Sequence, residues 1–175
     1  AVDRPWKRKF LGFSFYIRED VVGIRVHDKP VKKFKDKVRQ ILSRSNGRST
    51  EQRVETLNRC ITGWVNYFEL ADMKSLARGL DQWIRRRIRM CIWKQWRKIK
   101  TRHDNLVRLG IDDRKAWEYA NTRKGYWRIS NSPILSRTLN NEYLASLGLI
   151  SLTQRYSKYA HSGEPPYARP AYMVM

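Results

Sequence analysis

The chain has 175 residues and a formal net charge of +21 at pH 7, from 37 lysines and arginines against 16 aspartates and glutamates. Hydrophobic residues make up 41% of the sequence, which excludes a wholly disordered chain and is enough for a packed core. The cationic excess extends along almost the whole sequence. It favours a polyanionic partner, with nucleic acid ahead of a membrane surface.

Other function classes have little support in the sequence. No segment approaches the roughly 18 apolar residues of a membrane span, and the basic segment 5–9 has no apolar run behind it, so we expect no signal peptide and no membrane partner. Cys60 and Cys91 stand alone at apolar helical positions, as small core residues of a reducing compartment do. His27, His103 and His161 are scattered, and this spacing predicts neither a zinc site nor an acid–base pair.

Residues 1–28 have the alternation of a β-hairpin. Apolar side chains recur at every second position on both sides of the polar break 18–20, as they do along half-buried strands. These positions are Leu11, Phe13, Phe15, Ile17, Val22, Ile24 and Val26. A two-stranded hairpin is only marginally stable in water. We therefore expect the strands either to pack on the helices that follow or to form the edge of a larger sheet.

Residues 29–101 have the periodicity of three helices joined by short loops, which is typical of an antiparallel bundle. The first is expected at 30–44, the second begins at the capping box 49–52 (Ser-Thr-Glu-Gln), and the third extends from an N-cap at Asp72 to about residue 101. Gly63 lies inside the second helix, where glycine costs about 1 kcal/mol relative to alanine. We expect a neighbouring helix to approach closely there and offset that cost.

The third predicted helix carries the most basic run of the chain. One side is apolar at three- and four-residue steps and should face the core, through Leu80, Ile84, Ile88, Cys91 and Ile99. Four arginines between 85 and 89 lie within a turn and a half with no acid among them, and like charges so spaced repel unless an anion neutralises them. We predict a polyanion-binding side formed by Arg85, Arg86, Arg89, Trp93, Lys94, Trp96, Arg97, Lys98, Lys100 and Arg102. An equally weighted alternative is that both tryptophans are core residues.

Beyond residue 102 the predicted helices are short, at 105–109, 112–120, from 133 and at 140–147. Between them, the segment 123–128 is predicted to be a basic, aromatic loop. Rings beside guanidinium groups suit single-stranded or irregular RNA, on whose unpaired bases they can stack. The candidates are Arg123, Lys124, Tyr126, Trp127 and Arg128. Trp127 has an alternative, compatible role as an anchor of the loop to the core. From residue 153 no periodicity remains, and we expect a loosely held basic tail.

Four groups of short motifs follow one another along the chain. They are Phe10-Leu11-Gly12-Phe13; the pattern L-N-x-x-x-x-G-W-x-N-Y-F at 57–68; Trp93-Lys94-Gln95-Trp96; and the series Leu109-Gly110, Ala116-Trp117, Ala120, Gly125-Tyr126-Trp127 and Gly148-Leu149. In this order and spacing, over roughly residues 7–152, they resemble the C-terminal part of a bacterial group II intron-encoded reverse transcriptase–maturase. The resemblance assigns them in turn to the end of the palm, the thumb, the maturase-specific region and the rest of maturase domain X.

The expected fold class is therefore mainly α. An N-terminal β-hairpin at 1–28, the remnant of a palm sheet, precedes a three-helix thumb bundle at 29–101. A small all-α maturase subdomain at 102–152 and a basic tail at 153–175 follow.

The resemblance implies an RNA-binding thumb and maturase module. Such a module binds group II intron RNA to promote splicing and grips the template–primer RNA/DNA duplex during reverse transcription. Its other partners are the fingers and palm of the parent protein, and its location is the bacterial cytoplasm, with nucleoid association as an option. The alternatives from other classes are a basic RNA- or DNA-binding structural protein of a ribonucleoprotein, and a free-standing nuclease.

The catalytic motif of that family, Y-x-D-D, is missing from this sequence. The only adjacent aspartates, Asp112-Asp113, lie at a predicted helix start, where Asp112 is typical of an N-cap. We therefore predict no catalytic and no metal-binding residue, and no polymerase activity of this chain alone. The resemblance places Mg²⁺ only at the palm site and in the intron ribozyme.

Overall fold

The computed structural model describes residues 9–18 and 21–160, which form a mainly helical structure with a small sheet at its start. The elements are β1 (Lys9–Phe10), β2 (Phe13–Arg18), β3 (Val21–Val26), α1 (Asp28–Ile41), α2 (Thr50–Tyr67), α3 (Lys74–Gln95), α4 (Ile99–Arg108), α5 (Asp113–Ala120), α6 (Tyr126–Ile129), α7 (Pro133–Thr138), α8 (Asn141–Ser146) and α9 (Leu152–Ala160). The predicted fold class, mainly α after an N-terminal hairpin, is confirmed. Among the described helices, none is both long enough and apolar enough to cross a membrane.

The described residues group into two compact units. Unit 1 takes those within Ala1–Lys37, Arg59–Asp81 and Ile150–Met175, and unit 2 takes Val38–Asn58 and Gln82–Leu149. Helices α1, α2 and α3 each contribute residues to both units. This division differs from the domains at 1–28, 29–101, 102–152 and 153–175, which stay a prediction.

Unit 1 begins with an antiparallel sheet in the order β1-β2-β3. β2 and β3 pair along their whole length, starting from Phe13 opposite Val26, which confirms the predicted hairpin. The sequence placed Leu11 and Gly12 in a strand, and this prediction is wrong. Both residues lie in the turn between β1 and β2, with positive φ angles of 49° and 88°. Glycine adopts such angles without steric cost, so Gly12 permits the turn inside an otherwise strand-like run.

The sheet packs on α2 within unit 1. The ring of Phe13 lies with its centroid 5.1 Å from that of Phe68 and 6.0 Å from that of Tyr67. Gly12 is tight against the same neighbours, since a Cβ there would come within 3.3 Å of Phe68 and 3.0 Å of Pro30. Of the two arrangements that the sequence left open, packing on the following helices is therefore present.

The apolar side of α2 is buried as predicted, but its glycine does not serve a close approach. Leu57, Ile61 and Val65 are fully buried. Gly63 is exposed, and nothing lies within 4 Å of the position that its Cβ would take. The expectation of a closely packed neighbour at Gly63 is wrong for the described part of the chain, so no packing there offsets the helix cost of glycine.

Residues 152–160 form a helix instead of the loosely held tail predicted from residue 153. The Asp81 carboxylate, which is buried, accepts hydrogen bonds from the Ser151 hydroxyl at 2.6 Å and from the amides of Leu152 and Thr153 at 2.8 and 3.0 Å. A carboxylate at these first amides satisfies donors that the helix leaves unpaired. No local pattern predicts this cap, because the capping residue lies some seventy positions earlier. The remainder of the predicted tail, 161–175, lies outside the described residues.

The helix starts predicted at the capping box 49–52, at Asp112 and at residue 133 are confirmed, whereas the helix expected to begin at residue 105 begins at Ile99. Ser49 and Gln52 form a reciprocal capping box, with each side chain accepting from the other's amide at 3.2 Å. The side chains of Asp112, Ser132 and Asn140 each accept from the amide three residues on, and so cap α5, α7 and α8. Such caps need partners only three residues away, which is why the sequence alone predicts them.

The long third helix breaks earlier than expected. α3 ends at Gln95, Lys98 is extended, and a new helix, α4, begins at Ile99. Ile99 is consequently 45% exposed, and its predicted place in the core is wrong. No glycine or proline marks the break. It is stabilised by Arg102, whose Nε donates to the Trp96 carbonyl at 2.9 Å and so satisfies an acceptor that the interrupted helix leaves open.

Candidate nucleic-acid interface

The α3 arginines that were predicted to bind a polyanion have partners within unit 2. Arg89 donates from Nε to the Leu139 carbonyl at 2.9 Å and contacts the Ser136 hydroxyl at 3.5 Å. Arg85 donates from Nη1 to Oδ1 of Asn141 at 2.6 Å. These side chains are half-buried, and burial lowers the pKa of the Arg89 guanidinium, with the charge of Arg85 adding to the effect. Arg85 and Arg89 therefore tie α3 to the segment around α7 and α8.

Arg86 is held by the tryptophan of the basic, aromatic segment. Its Nη2 donates to the Trp127 carbonyl at 3.0 Å, and its guanidinium carbon lies 3.9 Å from the centroid of the Trp127 ring. Trp127 keeps 37% of its surface exposed. Trp127 thus contacts α3 through Arg86, and part of the ring is still accessible to a base. Tyr126, Trp127 and Arg128 lie in the short helix α6, so their predicted placement in a loop is wrong.

The apolar side of α3 is buried at Leu80, Ile84, Ile88 and Cys91, as predicted. The opposite side is not fully open, however. Trp93 is 1% exposed, so its predicted place on an exposed binding surface is wrong, and the alternative that it belongs to the core is correct.

Two neighbours help to bury Trp93. Trp96 packs against it, with 5.7 Å between ring centroids, and the Arg102 guanidinium lies 5.0 Å from its centroid. Trp96 and Arg102 are themselves half-buried. All three are therefore part of the packing around the break between α3 and α4.

The other predicted residues keep more accessible side chains. The exposed ones are Arg97, Lys98, Lys100, Arg123, Lys124 and Arg128, and Lys94 is half-buried. Exposed cations of this kind can approach phosphates without loss of an internal hydrogen bond. Their role in binding RNA stays a prediction.

An open groove of about 510 Å³ in unit 2 collects cations from two separate stretches of the chain. We call it the basic groove, and its lining residues are Arg44, Ser45, Gly47, Arg48, Ser49, Arg53, Lys94, Gln95 and Arg97. Five of these nine carry positive charge, and none is acidic or aromatic. A concave surface lined by one sign of charge focuses the electrostatic potential and attracts counter-ions.

The loop between α1 and α2 is held by Asn46. The Asn46 amide donates to the Ile41 carbonyl at 3.1 Å, and its Oδ1 accepts from the Arg48 amide at 3.3 Å. The same Oδ1 accepts from Nη2 of Arg53 at 2.7 Å. Gly47, at φ +67°, provides the left-handed conformation of the turn. The loop side of the groove is thereby built in advance of any ligand.

Arg53 is among the residues that line the basic groove, and it is only 4% exposed. Its Nη2 also donates to the Ser43 carbonyl at 3.2 Å. Its Nε and Nη1 are buried and have no hydrogen-bond partner among the described residues. Burial raises the pKa of the Cys91 thiol, and the charge of Arg53 opposes this rise. A buried guanidinium with two unused donors and no carboxylate on the groove wall is an uncommon arrangement.

Tyr126 joins the groove to α6. Its ring lies 5.2 Å from the guanidinium carbon of Arg44 and 5.1 Å from Nζ of Lys94, measured to the ring centroid. These contacts orient two lining cations through the negative face of the ring. Three predicted residues, Lys94, Arg97 and Tyr126, are thus at or beside the groove.

Sequence reasoning missed the residues on the other wall. Arg44, Arg48 and Arg53 flank a Ser-Asn-Gly turn and the capping box of α2. A signal was present, because arginines beside a glycine turn and a helix N-terminus are typical of anion-binding loops. The sequence analysis instead assigned polyanion binding to the basic run of α3.

Sequence reasoning also missed a histidine that is paired with two aspartates. His103, on α4, contacts the carboxylates of Asp104 at 3.0 Å and Asp113 at 2.8 Å, and it stacks on Trp117 with 4.0 Å between ring centroids. Hydrogen bonding to Asp104, with Asp113 contributing, raises the pKa of His103, while burial opposes the shift. The prediction that no acid–base pair exists is wrong. Among the described residues, no group of three or more His, Cys, Asp or Glu side chains is arranged to hold a metal ion.

Part of the chain matches a known family. Residues 31–110, slightly less than half of the chain, match the family model of the maturase-specific domain of group II introns. No curated protein matches the chain closely enough to count as a relative. The family match supports a maturase domain of a group II intron protein in this part of the chain.

Proposed function

We propose that this chain, whose residues 31–110 are similar to the group II intron maturase-specific domain, binds intron RNA and promotes its folding into the splicing-active form. The observation that carries the proposal is that every residue lining the basic groove lies within the matched segment. The part of the chain that is similar to maturases is therefore also the part with a concave, acid-free cationic surface.

The physical basis of this activity is charge compensation. Compact RNA brings phosphates together, and lysine and arginine side chains replace the counter-ions that would otherwise condense on it. Exposed cations such as Arg97, Lys98 and Lys100 supply this charge without reading sequence. In this proposal the intron RNA carries out the transesterification, and the chain contributes no catalytic group or metal ligand.

The same module would form the thumb of a parent reverse transcriptase and grip a template–primer duplex. The sheet of unit 1 supports this extension, because Ile17, Val21 and Val22 are each more than half exposed. Apolar side chains clustered on a small sheet favour coverage by further protein, and we propose that the palm of the parent supplies it. The proposal places the chain with its RNA in the bacterial cytoplasm.

Filter binding across a salt series tests the RNA-binding part. The full chain should bind group II intron RNA more tightly than a ribosomal RNA fragment of equal length. With six to ten phosphates contacted, affinity should fall by about 10³–10⁵ between 50 and 200 mM salt. A splicing assay at limiting Mg²⁺, with and without the chain, tests the second part.

Three outcomes decide between the proposal and its rivals. Preference for intron RNA together with faster splicing supports a maturase. Equal binding to both RNAs with no effect on splicing would show a general structural protein of ribonucleoproteins. Mg²⁺-dependent cleavage of either RNA by the purified chain would show a nuclease and contradict the proposal.

A further inference from the structure

We propose that the basic groove is a binding site for a single phosphate group of a nucleic acid, with Arg53 beneath the bound group and Arg44, Arg48 and Arg97 around it. The shared chemistry is a phosphoryl oxyanion, carried either by an internal phosphodiester or by a terminal phosphate. That the carrier is RNA rests on the proposed function. The anion site itself rests on the geometry of the groove.

The first argument is the charge of the groove wall. Five cationic side chains surround a space of about 510 Å³, and the described lining residues include no carboxylate. Cations gathered in one concavity repel one another, and this repulsion is offset when an anion enters. Arg44, Arg48 and Arg97 are exposed, so their donors are available to a ligand.

The second argument is the state of Arg53. Ion pairing and hydrogen bonding normally compensate a buried charge. Only Nη2 of Arg53 makes hydrogen bonds here, to Ser43 and Asn46, while Nε and Nη1 are buried without a partner in the described structure. An anion in the groove would compensate this charge, and a small movement of the guanidinium would bring the unused donors to it.

The third argument is that the groove is prepared for an anion but not for a base. Ser49, the N-cap of the 18-residue helix α2, lines the groove, so the positive end of that helix adds to its potential. Asn46 holds the loop side in place. Within the part of the chain that the structure describes, no aromatic ring is among the lining residues, so these offer no stacking platform. It should therefore recognise phosphate without base preference.

Thermal unfolding of the full chain in phosphate tests the site without RNA. Sodium phosphate should raise the midpoint temperature above that in sodium chloride of equal ionic strength, because a ligand that binds only the folded state stabilises it. Phosphate also stabilises proteins generally by exclusion from their surface. The comparison is therefore between variants: Arg44→Gln/Arg48→Gln should lose at least half of the rise seen in the native sequence.

The matched control is Lys32→Gln/Lys33→Gln. It removes two exposed charges from α1 at positions outside the groove and should keep the full rise. Equal phosphate responses in the groove variant and the control would overturn the site. An unfolded groove variant would be replaced by Arg97→Gln, which removes one exposed cation from the opposite wall and should also reduce the rise.

RNA binding then tests whether the groove holds a single phosphate. If Arg44 and Arg48 share one phosphate, the groove variant should lower the slope of log affinity against log salt by about 0.7–0.9, the value for one contact. A reduction of twice that size would mean that each arginine contacts its own phosphate and would overturn the single-phosphate site. A slope equal to that of the Lys32→Gln/Lys33→Gln control, within error, would mean no contact at all.

Twelve-nucleotide RNAs with a 5′-phosphate or a 5′-hydroxyl distinguish the two sources. A terminal phosphate in the groove predicts that only the native protein prefers the 5′-phosphate, whereas an internal phosphodiester predicts equal losses on both RNAs in the groove variant. Failure of the groove is distinguishable from failure of the proposed function. In the first case intron RNA binding persists with no phosphate response, and in the second the phosphate response persists without preference for intron RNA.

Discussion

Two sets of arginines in unit 2 look alike in the sequence and differ in the structure. On α3, Arg86 and Arg89 donate to the backbone carbonyls of Trp127 and Leu139. At the basic groove, Arg44, Arg48 and Arg97 are exposed around the buried Arg53. Arg86 and Arg89 use guanidinium donors on acceptors within the protein. The exposed arginines of the groove are accessible to a ligand.

The difference teaches that a run of arginines does not by itself identify a polyanion-binding surface. A guanidinium has five donors, and the carbonyls at the ends of short helices lack partners within their own helix. Leu139 is the C-cap of α7, so Arg89 satisfies such an acceptor. The chain has several short helices after α3, and their ends consume arginine donors that the sequence suggested were free.

The strongest test of this comparison is Arg89→Met. It keeps most of the aliphatic volume but removes the donor to Leu139, and hydrogen bonds from charged groups contribute about 1.5–3 kcal/mol. We expect the free energy of unfolding to fall by about 2–3 kcal/mol in urea titrations, with little change in RNA affinity once folding is confirmed.

Arg97→Met is its matched control at the groove. Arg97 is exposed, so the same substitution should alter stability by no more than about 0.5 kcal/mol while weakening RNA binding. If Arg97→Met destabilised the chain as much as Arg89→Met, the division into occupied and open arginines would be wrong.

Trp127→Ala tests the contact between Arg86 and the exposed Trp127 ring. Loss of a base stack should weaken binding by about 1–3 kcal/mol, mainly for structured intron RNA and with a nearly unchanged salt slope. Filter binding to intron RNA and to an unrelated duplex measures this. If a folded variant lost the same affinity for both RNAs, the chain would bind RNA only as a nonspecific polycation.

Arg86→Lys and Arg97→Lys separate geometry from charge. Lysine keeps the charge but lacks the planar fork that both stacks on Trp127 and donates to its carbonyl. We expect Arg86→Lys to cost about 1 kcal/mol of stability and to leave the salt slope unchanged. Arg97→Lys should preserve both the stability of the chain and the salt slope of RNA binding, since a phosphate accepts hydrogen bonds from either cation. Thermal unfolding and salt-dependent binding of the two variants check this, and loss of stability in both would contradict it.

The smallest expected effect is the pH dependence of stability that arises from His103, which is paired with two aspartates. The pKa of His103 is raised above its ordinary value of 6.5 by Asp104 and Asp113. Its stabilising contribution should therefore be complete below about pH 6.5 and be lost as pH rises through the higher folded-state pKa. Thermal midpoints from pH 6 to 9 should fall more for the native chain than for His103→Gln. Parallel curves would show that the pair does not contribute.

The sequence predicted the features whose partners are close along the chain. Ser49 with Gln52 and Asp112 with the Lys115 amide form caps at a three-residue spacing. The buried sides of α2 and α3 followed from the helical period in the same way. Local geometry fixes such relations, whatever the path of the rest of the chain.

The tertiary structure alone decided which polar groups meet across long separations. Asp81 caps a helix some seventy residues later, Arg89 reaches Leu139, and the walls of the basic groove come from 44–53 and 94–97. A sequence pattern shows that an arginine is present, but not whether a carbonyl lies within reach. The donors of a guanidinium go to the nearest desolvated acceptor, and the chain path determines where that acceptor is.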